Sequence, residues 1–151
     1  MDLLATFLAS YLIWVMFLGL FILWIYRKQL QKNQIAYVAA VVIVVFTICQ
    51  IIKVAFPTER PFLLNGTVPL TVTVPADSAF PSLHTGVAFA LAFGLLRQNK
   101  KMGLLFMPPA LLVGAGRVVS HVHFPIDVLG GALIAFLVAM AISPKRLGVD
   151  T

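Results

Sequence analysis

Five apolar runs, separated by short polar and basic clusters, set the pattern of this chain. They extend from about Leu3 to Tyr26, Ile35 to Phe56, Pro81-Ser82 to Leu96, Met102 to Ser120, and Pro125 to Ile142. About 20 helical residues cross a bilayer core of ~30 Å. The pattern therefore predicts an all-α integral membrane protein, a compact bundle of about five transmembrane helices forming a single domain over residues 1–151. The first run is too long for a signal-peptide core, and Met1-Asp2 lacks the basic residues that precede one. The connection Pro57 to Phe80 breaks the pattern. Its stretch TVPLTVTVP alternates as a strand does, but Pro69 and Pro75 argue against pairing within a sheet.

Composition strengthens this picture. Of the residues, 61% are hydrophobic and 11% charged, and the mean hydropathy is +1.02. A net charge of +6 could suggest nucleic acid, but Lys and Arg form no basic stripe. They fall between the apolar runs, as topology signals do. Arg27, Lys28 and Lys32, then Arg97, Lys100 and Lys101, then Lys145 and Arg146 alternate onto one face. The positive-inside rule makes that face cytoplasmic, with the N-terminus outside and the C-terminus inside the cell membrane. The lone Cys49, within an apolar run, reads as a small packed hydrophobe. Two stripes, Gly86-Ala90-Gly94 and Gly131-Ala135-Ala139, suit close helix contact, whether inside the bundle or in a homodimer.

The same topology carries a second group of polar residues to the opposite, outer face: Lys53, Arg60, Ser82, His84, Arg117, His121, His123 and Asp127. Three cations suit a multiply charged anion, and an arginine fork matches phosphate oxygens in pairs. The third and fifth runs start on this face, so their free N–H groups and positive dipole ends point to it as well. Each residue alone has a plainer reading. Lys53 could snorkel from a helix end, Arg60 could pair with Glu59, Ser82 could cap a helix, and Asp127 could complement a helix dipole. His84 could be an ordinary satisfied polar residue in a first helical turn. Arg117 is harder to explain away, because it closes an apolar run and requires a partner. His123 and Asp127 stand four apart across a helix start, a spacing that lets a carboxylate orient an imidazole for nucleophilic or proton-transfer work. His121 lacks that spacing and reads as rim or structural.

Three segments occur in order: Lys53 with Arg60-Pro61, then Pro81-Ser82-Leu83-His84, then Arg117 with His123 and Asp127. Together they resemble the three-part signature of the type 2 phosphatidic acid phosphatase (PAP2) superfamily. The phrases AFPSLHT and HFPIDVLGG are most similar to the bacterial branch acting on undecaprenyl diphosphate. The resemblance implies a metal-independent phosphatase without a cofactor, releasing the terminal phosphate of a membrane lipid at the extracytoplasmic side. It implies His123 as nucleophile forming a phosphohistidine, Asp127 orienting it, and His84 as acid and base. Lys53, Arg60, Ser82, the Leu83 backbone and Arg117 would bind phosphate. Leu83 stands where the family often has Gly, and Gly116 where it usually has Ser. Phosphatidic acid and phosphatidylglycerol phosphate are alternative substrates. The competing classes are a metal site built from His84, His121, His123 and Asp127, a Ser82 hydrolase, and a carrier that binds an anion or lipid without catalysis.

Overall fold

The computed structural model describes residues 2–25 and 30–144. The basic residues Arg27, Lys28, Lys145 and Arg146, on which the predicted topology partly rests, lie outside the described residues. The described chain is all-helical. It opens with α1 (Asp2–Thr6), a π-helical segment (Phe7–Tyr11) and α2 (Leu12–Ile25) in direct succession. Then follow α3 (Lys32–Ala55), α4 (Pro61–Asn65), α5 (Leu83–Leu96), α6 (Lys100–Val119) and α7 (Pro125–Ala141). Leu3–Ile25, Lys32–Ala55 and Lys100–Val119 are long and apolar enough to cross a bilayer, whereas α5 and α7 are shorter apolar helices.

The central element is α5, which packs against α3, α6 and α7. Its residues from Thr85 to Ala92 are all buried, as are Gly94 and Leu95. A helix apolar all round belongs inside a bundle, and small side chains let its neighbours approach. A Cβ placed on Gly131 of α7 would lie 2.5 Å from the Ser82 carbonyl oxygen and 3.0 Å from the Gly86 nitrogen. The glycine stripes are thus occupied by contacts within the chain. Ile43 and Phe46 on α3, Leu111 on α6 and Leu133 on α7 point outward and are exposed, which is the distribution a lipid-facing surface requires.

The two polar sets fall at opposite ends of this bundle. At one end the Gln98 amide donates to the Gln34 carbonyl (3.1 Å) and the Tyr37 hydroxyl to the carbonyls of Ala139 and Ile142 (3.0 and 3.1 Å). This gathers the regions of Lys32, Arg97 and Lys100. At the other end lie Lys53, Arg60, Arg117, His123 and Asp127. The 57–80 connection holds no strand among the described residues. Instead it contains α4, which starts with Pro61 at a position suited to its fixed φ and ends at Gly66 in the left-handed region (φ 63°).

Candidate active site

Helix termini carry the site. Lys53 sits in the last turn of α3, Arg60 is the N-cap of α4, Ser82 the N-cap of α5, and Arg117 lies in the last turn of α6. The chain then reverses between α6 and α7. The Val122 N–H donates to the Arg117 carbonyl (3.3 Å) and the His121 N–H to the Val118 carbonyl (3.0 Å), with His121 left-handed at φ 59°. This double closure is a Schellman cap, so His121 turns the chain while its side chain remains exposed. His123 follows two residues later and is buried. On α7, Asp127 reaches back to accept the Phe124 N–H (2.8 Å) through Oδ2.

His123 lies between two guanidinium groups. Its Nε2 is 3.3 Å from Arg60 Nη1 and 3.4 Å from Arg117 Nη2. Guanidinium offers donors only, so Nε2 accepts and the ring proton resides on Nδ1. Nδ1 is 3.4 Å from Asp127 Oδ2, close to the carboxylate but not aligned as a hydrogen bond. His123 lies in the loop between α6 and α7. Burial pushes it down to about 4, with the charges of Arg117, Arg60 and Lys53 adding to the effect against the opposing pull of Asp127. The result is a neutral imidazole whose Nε2 lone pair is directed at the two guanidinium groups.

The cations differ in how fully they are engaged. Lys53 (5% exposed) and Arg60 (2%) are buried, so Lys53 does not snorkel outward. Instead it donates to the Ser78 carbonyl and pairs with Asp77 Oδ2 at 3.0 Å. All five Arg60 N–H groups have partners: the Asp77 carbonyl, the Val122 carbonyl, His123 Nε2, Asp77 Oδ1 and the Ser78 carbonyl. Arg117 (4% exposed) donates to the Ala9 carbonyl (3.1 Å), while its Nε is buried without a protein partner. The carboxylate paired with Arg60 is that of Asp77, at 2.7 Å. Burial pushes the Asp77 carboxyl up, but the hydrogen bond and charge of Lys53, together with Arg60, outweigh it and hold Asp77 below the usual carboxylate value.

Ser82 is buried and its hydroxyl lies 2.9 Å from the Thr85 hydroxyl. It marks the helix start but forms no side-chain cap. Its backbone N–H donates to the Asp127 carbonyl (2.9 Å), which ties the start of α5 to α7. The N–H groups of Leu83 and His84, in the first turn, have no intrahelical acceptor. His84 lies on the wall of two clefts. One, of about 320 Å³, also contains Tyr11, Thr73 and Arg117; the other, of about 410 Å³, contains Phe17, Ile43, Phe46 and Val87, and Trp14 borders both.

Gly116 explains one departure from the family pattern. A Cβ there would lie 2.7 Å from Leu8 Cβ and 2.8 Å from the Leu8 carbonyl carbon, so a serine hydroxyl has no room beside the π-helical segment. That segment also supplies the Ala9 carbonyl to Arg117. Neither its role nor that of Asp77 was foreseen from sequence. Scarcity offered a signal for Asp77, because Glu59, Asp77 and Asp127 are the only acidic residues away from the termini.

Fold and site together define a helical membrane protein with a buried His–Asp pair set among cations at one end of its bundle. Residues 34–147 match the PAP2 superfamily, and the chain belongs to it. It is 31% identical over 134 residues to the bacitracin transport permease protein BcrC of Bacillus licheniformis, covering 89% of this chain and 66% of that one. It is 29% identical over 138 residues to the undecaprenyl-diphosphatase BcrC of Bacillus subtilis, covering 91% and 71%. The chain thus spans roughly two-thirds of the length of these relatives. The crystal structure of LpxE from Aquifex aeolicus superposes with a TM-score of 0.68 at 31% identity, covering 92% of this chain and 82% of that one.

Proposed function

We infer that the protein is a membrane lipid phosphatase that removes the terminal phosphate of a polyprenyl diphosphate through a phosphohistidine. The observation that carries this reading is His123 Nε2, unprotonated and held between Arg60 and Arg117. In the first step the Nε2 electron pair forms a bond to the terminal phosphorus as the bridging P–O bond breaks. The negative charge of the bound diphosphate favours a proton on His84, and His84 gives that proton to the leaving oxygen. Asp127 stabilises the imidazolium that develops on His123 and holds its tautomer. In the second step water attacks phosphorus and gives a proton to His84. The N–P bond breaks and its electron pair returns to Nε2, regenerating the starting protonation states. Lys53, Arg60, Arg117, the Ser82 hydroxyl and the Leu83 N–H hold the non-bridging oxygens. Such fixed donors are commonly the largest catalytic contribution. Because the cations come from side chains, the reaction proceeds without metal.

A lipid substrate is supported by the two clefts that meet at Trp14 and His84. One is bordered by Arg117, and the other is lined by Phe17, Ile43 and Phe46, offering space to a phosphate head and a hydrocarbon tail. Undecaprenyl diphosphate is favoured by the name of the Bacillus subtilis relative. By the positive-inside rule the site lies on the extracytoplasmic face of the cytoplasmic membrane, with the chain acting as one domain.

Purified protein in chelator, offered undecaprenyl diphosphate, phosphatidic acid and phosphatidylglycerol phosphate, should release phosphate fastest from the first. No release from any of them, or release only after metal is restored, contradicts the reading. The permease name of the Bacillus licheniformis relative supports a second possibility, carriage without catalysis. Liposome flux of bacitracin or lipid phosphate unaccompanied by phosphate release would establish it instead.

A further inference from the structure

Two of the three buried cations at the site already hold an anion that belongs to the protein. We propose that the Asp77 carboxylate is a displaceable internal anion, occupying phosphate-oxygen positions on Lys53 and Arg60 and competing with the lipid phosphate for them. The inference rests on reading this end of the bundle as a phosphate site.

The geometry is that of one anion bridging two cations. Asp77 Oδ1 is 2.7 Å from Arg60 Nη2 and Oδ2 is 3.0 Å from Lys53 Nζ. The remaining hydrogen bonds of Arg60 leave a phosphate few alternatives. Three of its five acceptors are backbone carbonyls, those of Asp77, Val122 and Ser78. Only His123 Nε2 and the Asp77 carboxylate are side-chain acceptors. A phosphoryl group meeting His123 can take over Nη1, but a second oxygen reaches Nη2 only if Oδ1 withdraws.

The carboxylate is also the part best able to move. Lys53 and Arg60 are nearly inaccessible, whereas the Asp77 side chain is 52% exposed. It lies in the connection between α4 and α5 and borders a cleft of about 670 Å³ with Pro57, Leu63, Val74 and Ser78. The Asp77 and Ser78 carbonyls remain anchored by Arg60, so rotation of one side chain is sufficient. Without ligand, the carboxylate offsets the burial of two like charges, which is costly when uncompensated. When phosphate arrives, one anion replaces another, and the observed affinity is reduced by the fraction of protein whose site is still closed.

A permanent strut that merely aims Lys53 and Arg60 would behave oppositely, because removing it would weaken phosphate binding. Calorimetric titration of the detergent-purified protein with inorganic phosphate and with orthovanadate separates the two. Asp77→Asn should bind both about fivefold or more tightly than the parent, since freeing the competent state removes that reduction. Glu59→Gln removes the same charge from the same cleft lining, and among the described residues Glu59 forms no ion pair with either cation. Its effect should stay below about twofold, as a screened field contribution. Equal or weaker binding by Asp77→Asn, or an equal gain from Glu59→Gln, overturns the proposal.

A measurement on the unaltered protein covers the case in which the variant does not fold. Carbodiimide coupling to Asp77, read by mass spectrometry, should rise when phosphate saturates the site, and unchanged or reduced coupling overturns the displacement. Neither readout requires turnover. Failure to bind phosphate in every form would overturn the phosphate-site reading and this inference together, whereas binding without the Asp77 effect would overturn this inference alone.

Discussion

At the scale of single residues, His123 combines burial with proximity to two guanidinium groups. Its pKa, depressed to about 4, has a definite consequence for pH dependence. In the unfolded chain an imidazole protonates near ~6.5. As pH falls from about 6.5 toward 4, the unfolded state therefore binds a proton that the folded state does not, and stability declines through that window. Above it, this contribution is constant. NMR of isotope-labelled histidine, assigned with His123→Gln, should place the His123 midpoint near the folded value of about 4. A midpoint at or above the free-imidazole value contradicts the environment described for it. The His123–Asp127 pair was legible because four residues across a helix start imply contact. Asp77 was not, because its partners are Lys53 and Arg60 on other elements and no local spacing encodes that meeting.

Between elements, two glycines determine how the site is assembled. Replacing Gly131 with Ala would force a Cβ to within 2.5 Å of the Ser82 carbonyl oxygen, pushing the start of α5 away from α7, where the Ser82 N–H meets the Asp127 carbonyl. Gly131→Ala should lower turnover by roughly tenfold or more, as expected when a reacting geometry loosens by a fraction of an ångström. Parent-like turnover in a steady-state phosphate-release assay would count against that coupling. Gly116→Ser restores the residue usual in the family, but its Cβ meets Leu8, so it should destabilise by about 1–3 kcal/mol, the usual range for overpacking. Denaturant unfolding in detergent checks this, and a more stable or more active variant would contradict it. The long helices and the starts of α5 and α7 were readable from apolar runs and prolines. Arg60-Pro61 also held the signal for α4, a cap position followed by Pro. The π-helical segment left no comparable mark, since its residues are as apolar as those around them.

For the whole molecule, the positive-inside rule predicts from the division of charge which end of the bundle faces the cytoplasm. Lys32, Arg97 and Lys100 gather at one end, and the histidine site occupies the other. The sole native thiol, Cys49, is buried, so single cysteines can report topology in intact cells. Cysteine at Glu59 should react with a membrane-impermeant maleimide from outside, and cysteine at Lys101 only after permeabilisation. The reverse pattern would invert the assigned face. The sequence made this partition visible because the apolar runs fix which connections share a side. The close approach of the start of α5 to α7, through Gly131 and the Ser82 carbonyl, could not be counted from run lengths.

The central claim is covalent transfer through His123, and rapid quenching tests it most directly. Purified protein mixed with lipid diphosphate radiolabelled at the terminal phosphate should yield, within the first turnover, an acid-labile and alkali-stable phosphoryl adduct that maps to His123 and is absent from His123→Ala. Phosphate release at a normal rate with no such adduct, or with label on Ser82, would contradict the account.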